Sequence, residues 1–200
     1  MEAIAPISHE QWCSLIEYAD HLQTWQKTVN LVAPSTLGSL WQRHILDSWQ
    51  LVPLAGRQEQ GALLDLGSGA GLPGMVLAIA GIRDVHLIES NKRKASFLRY
   101  VAQQTGTPCQ VHAERIQALR PCEFGRISMI VARALAALHE LLAMAFPCCS
   151  QETTLLFPKG RRWQEEVREA EKTFSFSVTT HQSVTDSDGV ILELSHLARR

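Results

Sequence analysis

The segment Leu63-Leu64-Asp65-Leu66-Gly67-Ser68-Gly69-Ala70-Gly71-Leu72-Pro73-Gly74 constrains this chain more than any other. A short apolar run ends in a turn of closely spaced glycines, and a second apolar stretch follows at once. Such a turn needs backbone dihedrals that side chains resist, and it lets a ligand approach the main chain closely. Strand, glycine turn and helix in that order predict the opening unit of a doubly wound α/β fold. The dinucleotide fingerprint requires glycine at positions one, three and six of the turn, and position six here is Leu72. Asp65 stands two residues before the first glycine, where a fixed carboxylate repels a pyrophosphate but attracts the ammonium of a methionine moiety. Glu89 ends the next apolar run and puts a second carboxylate at the carboxyl edge of the sheet, placed to accept both hydroxyls of an adenosine ribose. This charge pattern favours a phosphate-free cofactor over a nicotinamide dinucleotide. The structural alternatives are a strand-end turn residue at Asp65 and a cap for the helix starting near Asn91 at Glu89.

From Ala62 onward, short apolar runs alternate with amphipathic stretches: Leu63 to Leu66, Val85 to Ile88, Cys109 to His112, Ile127 to Val131 and Thr153 to Phe157. Each has strand length, and the helix-like segments between them predict a parallel sheet with right-handed crossovers. After a helix near Arg162 to Lys172, the runs Phe174 to Thr180 and Val190 to Leu197 flank the turn-like Thr185-Asp186-Ser187-Asp188-Gly189 and predict a closing antiparallel pair. The first sixty residues read as helix, because Trp12, Leu15, Ile16, Ala19, Leu22 and Trp25 recur at spacings of three and four. Ser8 and Gln11 have the capping-box spacing for the start of that helix. A second helical stretch is expected from about Thr36 to Leu54, ended by Pro53 and Gly56. Residues 1–60 thus form an N-terminal helical extension on a domain of residues 61–200, packed as one unit.

Two hundred residues bury a core without disulfides or metals, and a chain 46% hydrophobic and 20% charged is of ordinary globular composition. The longest apolar stretch, Met129 to Cys149, is broken by Arg133, His139, Glu140 and Pro147, too often for a bilayer-spanning helix. The start Met1-Glu2-Ala3-Ile4 has no basic residue followed by an apolar run, so no secretory signal is read there. The cysteines, Cys13, Cys109, Cys122, Cys148 and Cys149, are odd in number and lack Cys-x-x-Cys spacing, which predicts reduced, mostly buried thiols, no zinc site and a cytoplasmic location. The formal net charge of −1 gives no global attraction for polyanions, so nucleic acid must be met by a local patch. Lys92, Arg93, Lys94 and Arg99, with Arg43, Lys159, Arg161 and Arg162, are the candidates for it.

Several motifs together resemble one family. They are Trp25-x4-Asn30-Leu31, Arg43-His44-Ile45-Leu46-Asp47-Ser48, the loop Gly67 to Gly74, Glu89-Ser90-Asn91-Lys92-Arg93-Lys94-Ala95-x-Phe97-Leu98, Ala132-Arg133-Ala134 and Pro158-Lys159-Gly160. From about Trp25 to Gly160 the chain resembles the RsmG, or GidB, family of bacterial 16S ribosomal RNA (guanine-N(7))-methyltransferases. The resemblance implies a Rossmann-like class I methyltransferase fold, with a mostly parallel seven-stranded sheet flanked by helices. It further implies S-adenosyl-L-methionine as cofactor, 16S rRNA or the small ribosomal subunit as partner, and a guanine of the 530 loop as target. On this reading Gly67 and Leu72 contact the cofactor, with Ser68, Gly69 and Gly71 in the same loop. Ile116 and Gln117 flank the adenine, and Arg133 lines the site. The chain departs from the family pattern at Gln26, often asparagine, at Ala132, usually serine, and at Gln117, usually glutamate.

Nitrogen-7 of guanine carries a lone pair that is unprotonated near neutral pH, so its attack on a sulfonium methyl needs alignment and no general base. No acid or base catalyst is therefore assigned. Arg133 is the candidate for positioning substrate or cofactor, with a salt bridge to Glu140 or a neighbour as the structural alternative. An exocyclic-amine methyltransferase would show Asn/Asp-Pro-Pro-Tyr/Phe where Ala132-Arg133-Ala134 stands, and Pro147-Cys148 falls a helix too late to supply a cysteine nucleophile. His44 and Asp47 read as packing or capping residues, and Trp12, Trp25, Trp41 and Trp49 as core. A monomer is expected. The sequence also leaves open an enzyme of the same fold acting on a small molecule or protein, and a catalytically silent RNA-binding or assembly factor.

Overall fold

The computed structural model describes residues 4–57 and 60–200; Met1 to Ala3, on which the secretory-signal reading partly falls, lie outside the described residues. Strands β1 (Ala62–Leu66), β2 (Val85–Ile88) and β4 (Ile127–Val131) are buried at every position, the signature of parallel strands covered on both faces. With β3 (Gln110–His112), β5 (Thr154–Lys159), β6 (Phe174–Gln182) and β7 (Val190–Arg199) they form one seven-stranded sheet in the order β3-β2-β1-β4-β5-β7-β6. The pairs from β3 through β5 are parallel, and β7 runs antiparallel to both β5 and β6, as the closing pair predicts. β1 lies between β2 and β4, so the order of winding reverses at its carboxyl end and a crevice opens there. The glycine turn occupies that crevice.

Alternation along β1 sends Leu63 to one face and Leu64 and Leu66 to the other. On the first face, α4 (Gly74–Ile79) and α5 (Lys92–Gln104) pack with the N-terminal α1 (His9–Gln26). On the second, α6 (Leu138–Ala145) and α7 (Trp163–Ala170) cover Leu64, Ile130, Phe157 and Leu192. Each fully buried leucine or phenylalanine here contributes about 1.5–3 kcal/mol relative to exposure.

Helix α1 opens with the expected capping box: the Gln11 amide donates to Ser8 Oγ and the Ser8 amide to Gln11 Oε1. Its buried face is Leu15, Tyr18, Ala19 and Leu22. The expected stripe is too wide, because Trp12 and Ile16 are 44% and 39% exposed. Trp41 is exposed as well and lies ring to ring with Trp12, 5.0 Å between centroids, so of the four tryptophans assigned to the core only Trp49 is enclosed and Trp25 half-buried. The Trp49 indole reaches inward to the Ala5 carbonyl.

The second helical stretch is not one helix. It divides into a 3-10 segment (Pro34–Ser39), a π-helical segment (Trp41–Leu46), α2 (Asp47–Trp49) and α3 (Val52–Ala55). Pro53 sits inside the first turn of α3, where its missing N–H has no helical partner to lose, so it starts this turn and does not end a longer one. The wide π turn brings Arg43, His44 and Asp47 to the crevice. Among the described residues no helix is long and apolar enough to cross a membrane. The thiols are less buried than expected: Cys13 and Cys122 are exposed, and only Cys148 is fully enclosed.

Candidate functional site

The turn after β1 is built from backbone that side chains would obstruct. Gly67, Gly69 and Gly71 have φ of 69°, 58° and 94°, in the left-handed region. A Cβ on Gly67 would lie 2.6 Å from Leu135 Cδ1. Hydrogen bonds fix the turn from below. The Ser68 amide donates to the Ile88 carbonyl (3.0 Å) and Ser68 Oγ to the Asp65 carbonyl (2.9 Å). The Gly69 amide donates to Glu89 Oε2 (2.8 Å), and the Tyr18 hydroxyl, wholly buried on α1, donates to the Ala70 carbonyl (2.8 Å).

Asp65 is the foundation of this turn. Its side chain is completely buried, and Oδ2 accepts the Gly74 amide at 3.0 Å. Oδ1 is equally buried and has no partner among the described residues. Burial pushes the carboxyl up to about 7, against the opposing pull of the Gly74 amide, Ser68 and the Arg133 charge. The helix cap of α5 is Asn91, whose side chain accepts the Arg93 and Lys94 amides; Glu89 Oε1 accepts the Asn91 amide (2.7 Å), and Glu89 lines the cleft.

The cleft above the turn has a volume of about 1010 Å³. Of the expected cofactor residues, Gly67, Ser68, Gly69, Leu72, Glu89, Ile116, Gln117 and Arg133 line it. Asp65 and Gly71 do not. Asp65 shares the inward face of β1 with Leu63, so its carboxylate lies beneath the turn, where it holds the Gly74 amide.

The opposite wall depends on Arg133. Its Nη1 donates to Asp47 Oδ2 and to the Arg43 carbonyl, both at 2.9 Å, and its Nη2 donates to His44 Nδ1 at 2.8 Å. The partner is therefore Asp47, not Glu140, and the side chains of the pair are only 15% and 16% exposed. Burial, then the Arg133 charge, hold His44 down to about 4. The ring is neutral near pH 7, so Nε2 carries the hydrogen and donates to Thr36 Oγ1 at 2.7 Å, which in turn donates to the Ala33 carbonyl. Asp47 Oδ1 accepts the Thr185 hydroxyl (2.6 Å) and Gln50 Nε2 (2.9 Å), while Gln50 Oε1 accepts the Val184 amide (2.9 Å). His44 and Asp47 thus hold three segments together at the cleft: the N-terminal turns, the end of β4 and the β6–β7 loop.

The basic candidates divide sharply. Arg43 and Lys94 line the cleft, joined by Arg115. Lys92, Arg93, Arg99, Arg161 and Arg162 are exposed outside it, Arg99 bonding the Val111 carbonyl. Lys159 also lines the cleft, but it donates to Glu166 at 2.8 Å and to the Ala136 carbonyl at 2.9 Å, with 9% of its side chain exposed. Sequence reasoning missed Tyr18, although it sits on the helical stripe. It also missed Gln50 and Thr185, whose contacts span more than 130 positions and leave no local signal. Gln26, the departure from asparagine, closes the turn at Leu31 and Val32 by accepting both amides, at 2.8 and 3.0 Å. Among the described residues there is no group of histidine, cysteine and carboxylate side chains that could hold a metal.

The chain is similar to known proteins along nearly its whole length. The family model described as GidB, rRNA small subunit methyltransferase G, matches residues 11–194. A ribosomal RNA small subunit methyltransferase G of Paramagnetospirillum magneticum is 44% identical over 195 residues, covering 96% of this chain and 92% of that one. Its counterpart in Rhizobium meliloti is 43% identical over 201 residues, covering 97% and 93%. Among solved structures, the glycopeptide N-methyltransferase MtfA, complexed with sinefungin, superposes with a TM-score of 0.62 at 11% identity, over 76% of this chain and 93% of that one. A ribosomal protein L11 methylase from Lactobacillus delbrueckii gives 0.57 at 16% identity, over 74% and 78%. These two share the class I methyltransferase fold with this chain.

Proposed function

The chain belongs to the ribosomal RNA small subunit methyltransferase G family, and from that membership we propose that it methylates nitrogen-7 of a guanine in the 530 loop of 16S rRNA, using S-adenosyl-L-methionine. The observation that carries the cofactor is Asp65, a buried carboxylate with one oxygen unpartnered among the described residues, beneath a glycine-rich turn. A buried negative charge without a cation is costly, so this arrangement fits a ligand bearing positive charge and would resist a pyrophosphate. The residues present fit S-adenosylmethionine, which when bound supplies a methyl group activated by a sulfonium.

The chain's own part is to bind and align. Glu89, already ordered by the Gly69 and Asn91 amides, is the acceptor for the ribose hydroxyls. Ile116 and Gln117 flank the adenine, and Gly67, Ser68, Gly69, Ala70 and Leu72 form the floor. Arg133, pinned by three acceptors, positions the acceptor side. No proton needs to leave nitrogen-7 before attack, so a neutral His44 facing Arg133 is compatible with the reaction. Arg43, Arg115 and Lys94 at the cleft, with Lys92, Arg93, Arg99, Arg161 and Arg162 outside it, form the phosphate footprint. Residues 1–60 act as an extension that completes the cleft, and the protein works as a cytoplasmic monomer.

The test uses small ribosomal subunits from cells lacking this protein, incubated with the purified chain and methyl-labelled S-adenosylmethionine. Label at one guanine of the 530 loop, cleavable by chemistry specific for nitrogen-7 methylation, is the expected result. Label at another position refutes the target, and absence of saturable cofactor binding by calorimetry refutes the enzyme.

A further inference from the structure

Beyond the end of β4 the chain forms a short strap, Arg133 to Ala136, along the cleft wall. Ala134 has φ 52°, a left-handed conformation that a residue with a Cβ adopts at a cost of about 1–3 kcal/mol. The strap is clamped on either side of that strain. Arg133 is tied to Asp47, His44 and the Arg43 carbonyl, and the Ala136 carbonyl accepts Lys159 Nζ at 2.9 Å. Lys159 is held by Glu166, which also accepts the Leu138 amide at 2.8 Å, so the far end is fixed to the start of α6.

Between the clamps stands Leu135. It is a large apolar side chain left 36% exposed, lining a cleft of mixed polar and apolar groups, and it presses on the glycine turn where a Gly67 Cβ would go. Strain and exposure together hold an apolar surface in place where solvent would otherwise disfavour it. Ile116 and Gln117, assigned above to the adenine, follow β3, which is separated from β4 and its strap by β2 and β1. Leu135 instead stands between the turn and the Arg133 wall, with the polar Ser183 and Thr185 also on the cleft lining. An apolar face beside hydrogen-bonding groups suits a flat heterocycle, which offers one apolar face and a polar edge.

We propose that Leu135 is the plate on which the acceptor ring lies, so that the strained strap fixes where the receiving nitrogen stands relative to the methyl group. This rests on the reading of the cleft as a methyl-transfer site. Leu135 is a positioning residue here, and a role confined to packing the turn makes a different prediction.

The experiment compares wild type, Leu135→Ala and Leu135→Met in two assays: calorimetric binding of S-adenosylmethionine without RNA, and steady-state methylation of small subunits from cells lacking the protein. Leu135→Ala is expected to keep cofactor affinity within about threefold while kcat/KM for the subunit falls by about tenfold or more, the scale of removing one apolar surface from beneath a substrate ring. Leu135→Met, which keeps an apolar surface, is expected to recover most of that activity. Unchanged kcat and KM in Leu135→Ala overturn the proposal. So does a fall in cofactor affinity that matches the fall in rate, which would make Leu135 a support for the turn alone. A wild-type chain that binds cofactor and methylates another class of substrate overturns the proposed RNA target, and the same variants assayed on that substrate still decide whether Leu135 carries the acceptor. A wild type that binds no cofactor overturns both.

Discussion

Asp65 combines a stability cost with a binding role in one side chain. Its ordinary value of 3.8 rises to about 7 in the folded chain, so the folded state holds the proton more tightly than the unfolded state does. The ionised carboxylate therefore costs stability progressively as pH climbs from about 4 to about 7, and the full cost persists above that window. Asparagine has the same shape and no charge. Asp65→Asn is expected to raise the stability of the cofactor-free chain by about 2 kcal/mol at pH 8, or about 6 °C in Tm, with a smaller gain at pH 5. Thermal melts at the two pH values check this. Cofactor affinity should move the other way, falling about tenfold or more at pH 8, with the gap between wild type and variant widening as pH rises from 6 to 8. Equal affinities at pH 8 would remove Asp65 from cation binding. The importance of Asp65 was legible two residues before the first glycine. Its position beneath the turn was not, because the face a strand residue takes is decided by the packing of the whole sheet.

At the scale of elements, the central strands β1, β2 and β4 were legible because parallel strands buried on both faces must be continuously apolar, and the ends of all seven strands match the expected runs within about two residues. The stretch from Thr36 to Leu54 was not legible. Its hydrophobic spacing reads as an ordinary helix, yet contacts from Arg133 and the β6–β7 loop select a 3-10 and a π segment instead. The same remoteness concealed the latch of Asp47, Gln50 and Thr185. Asp47→Ala leaves Arg133 without its counter-charge and frees the Thr185 hydroxyl, so a destabilisation of about 2–3 kcal/mol is expected by chemical denaturation. Hydrogen exchange should accelerate at residues 183–189, where Val184 loses its ordered acceptor on Gln50, while β1 to β4 stay protected. Uniform acceleration across the sheet would show that the latch does not act locally. Gly74→Ala tests the junction between β1 and α4. Its Cβ would sit 2.6 Å from Asp65 Oδ2 and against Leu87, so a cost of about 1–3 kcal/mol and a weaker cofactor site are expected together.

Across the whole molecule, charge is arranged by position more than by amount. With a net charge of −1 there is little long-range pull on a polyanion, yet a cationic cofactor and an anionic RNA must be held side by side. The fold meets the two demands with different residues: Asp65 is buried beneath the turn and Glu89 lines the cleft beside it, while Arg43, Lys94 and Arg115 line the same cleft, among further carboxylates such as Glu114 and Asp186. Sequence could count the basic residues but not sort them, because it does not show that Lys159 is paired with Glu166 and because only the topology brings residues 43, 94 and 115 to one edge. Replacing Arg43 and Arg115 together with alanine should therefore weaken RNA binding and flatten its salt dependence, lowering the slope of log K against log salt by about 0.7 for each phosphate that is no longer neutralised. Arg126 provides the comparison. It precedes β4, at the opposite edge of the sheet from the cleft, and pairs with Glu152 at 3.1 Å. Arg126→Ala changes the net charge by the same sign, so a global charge effect would flatten its slope too, whereas a local footprint leaves it at the wild-type value. Filter binding of a 16S rRNA fragment across a salt series distinguishes these outcomes, and equal slopes for wild type and the double variant would move the RNA footprint away from the cleft.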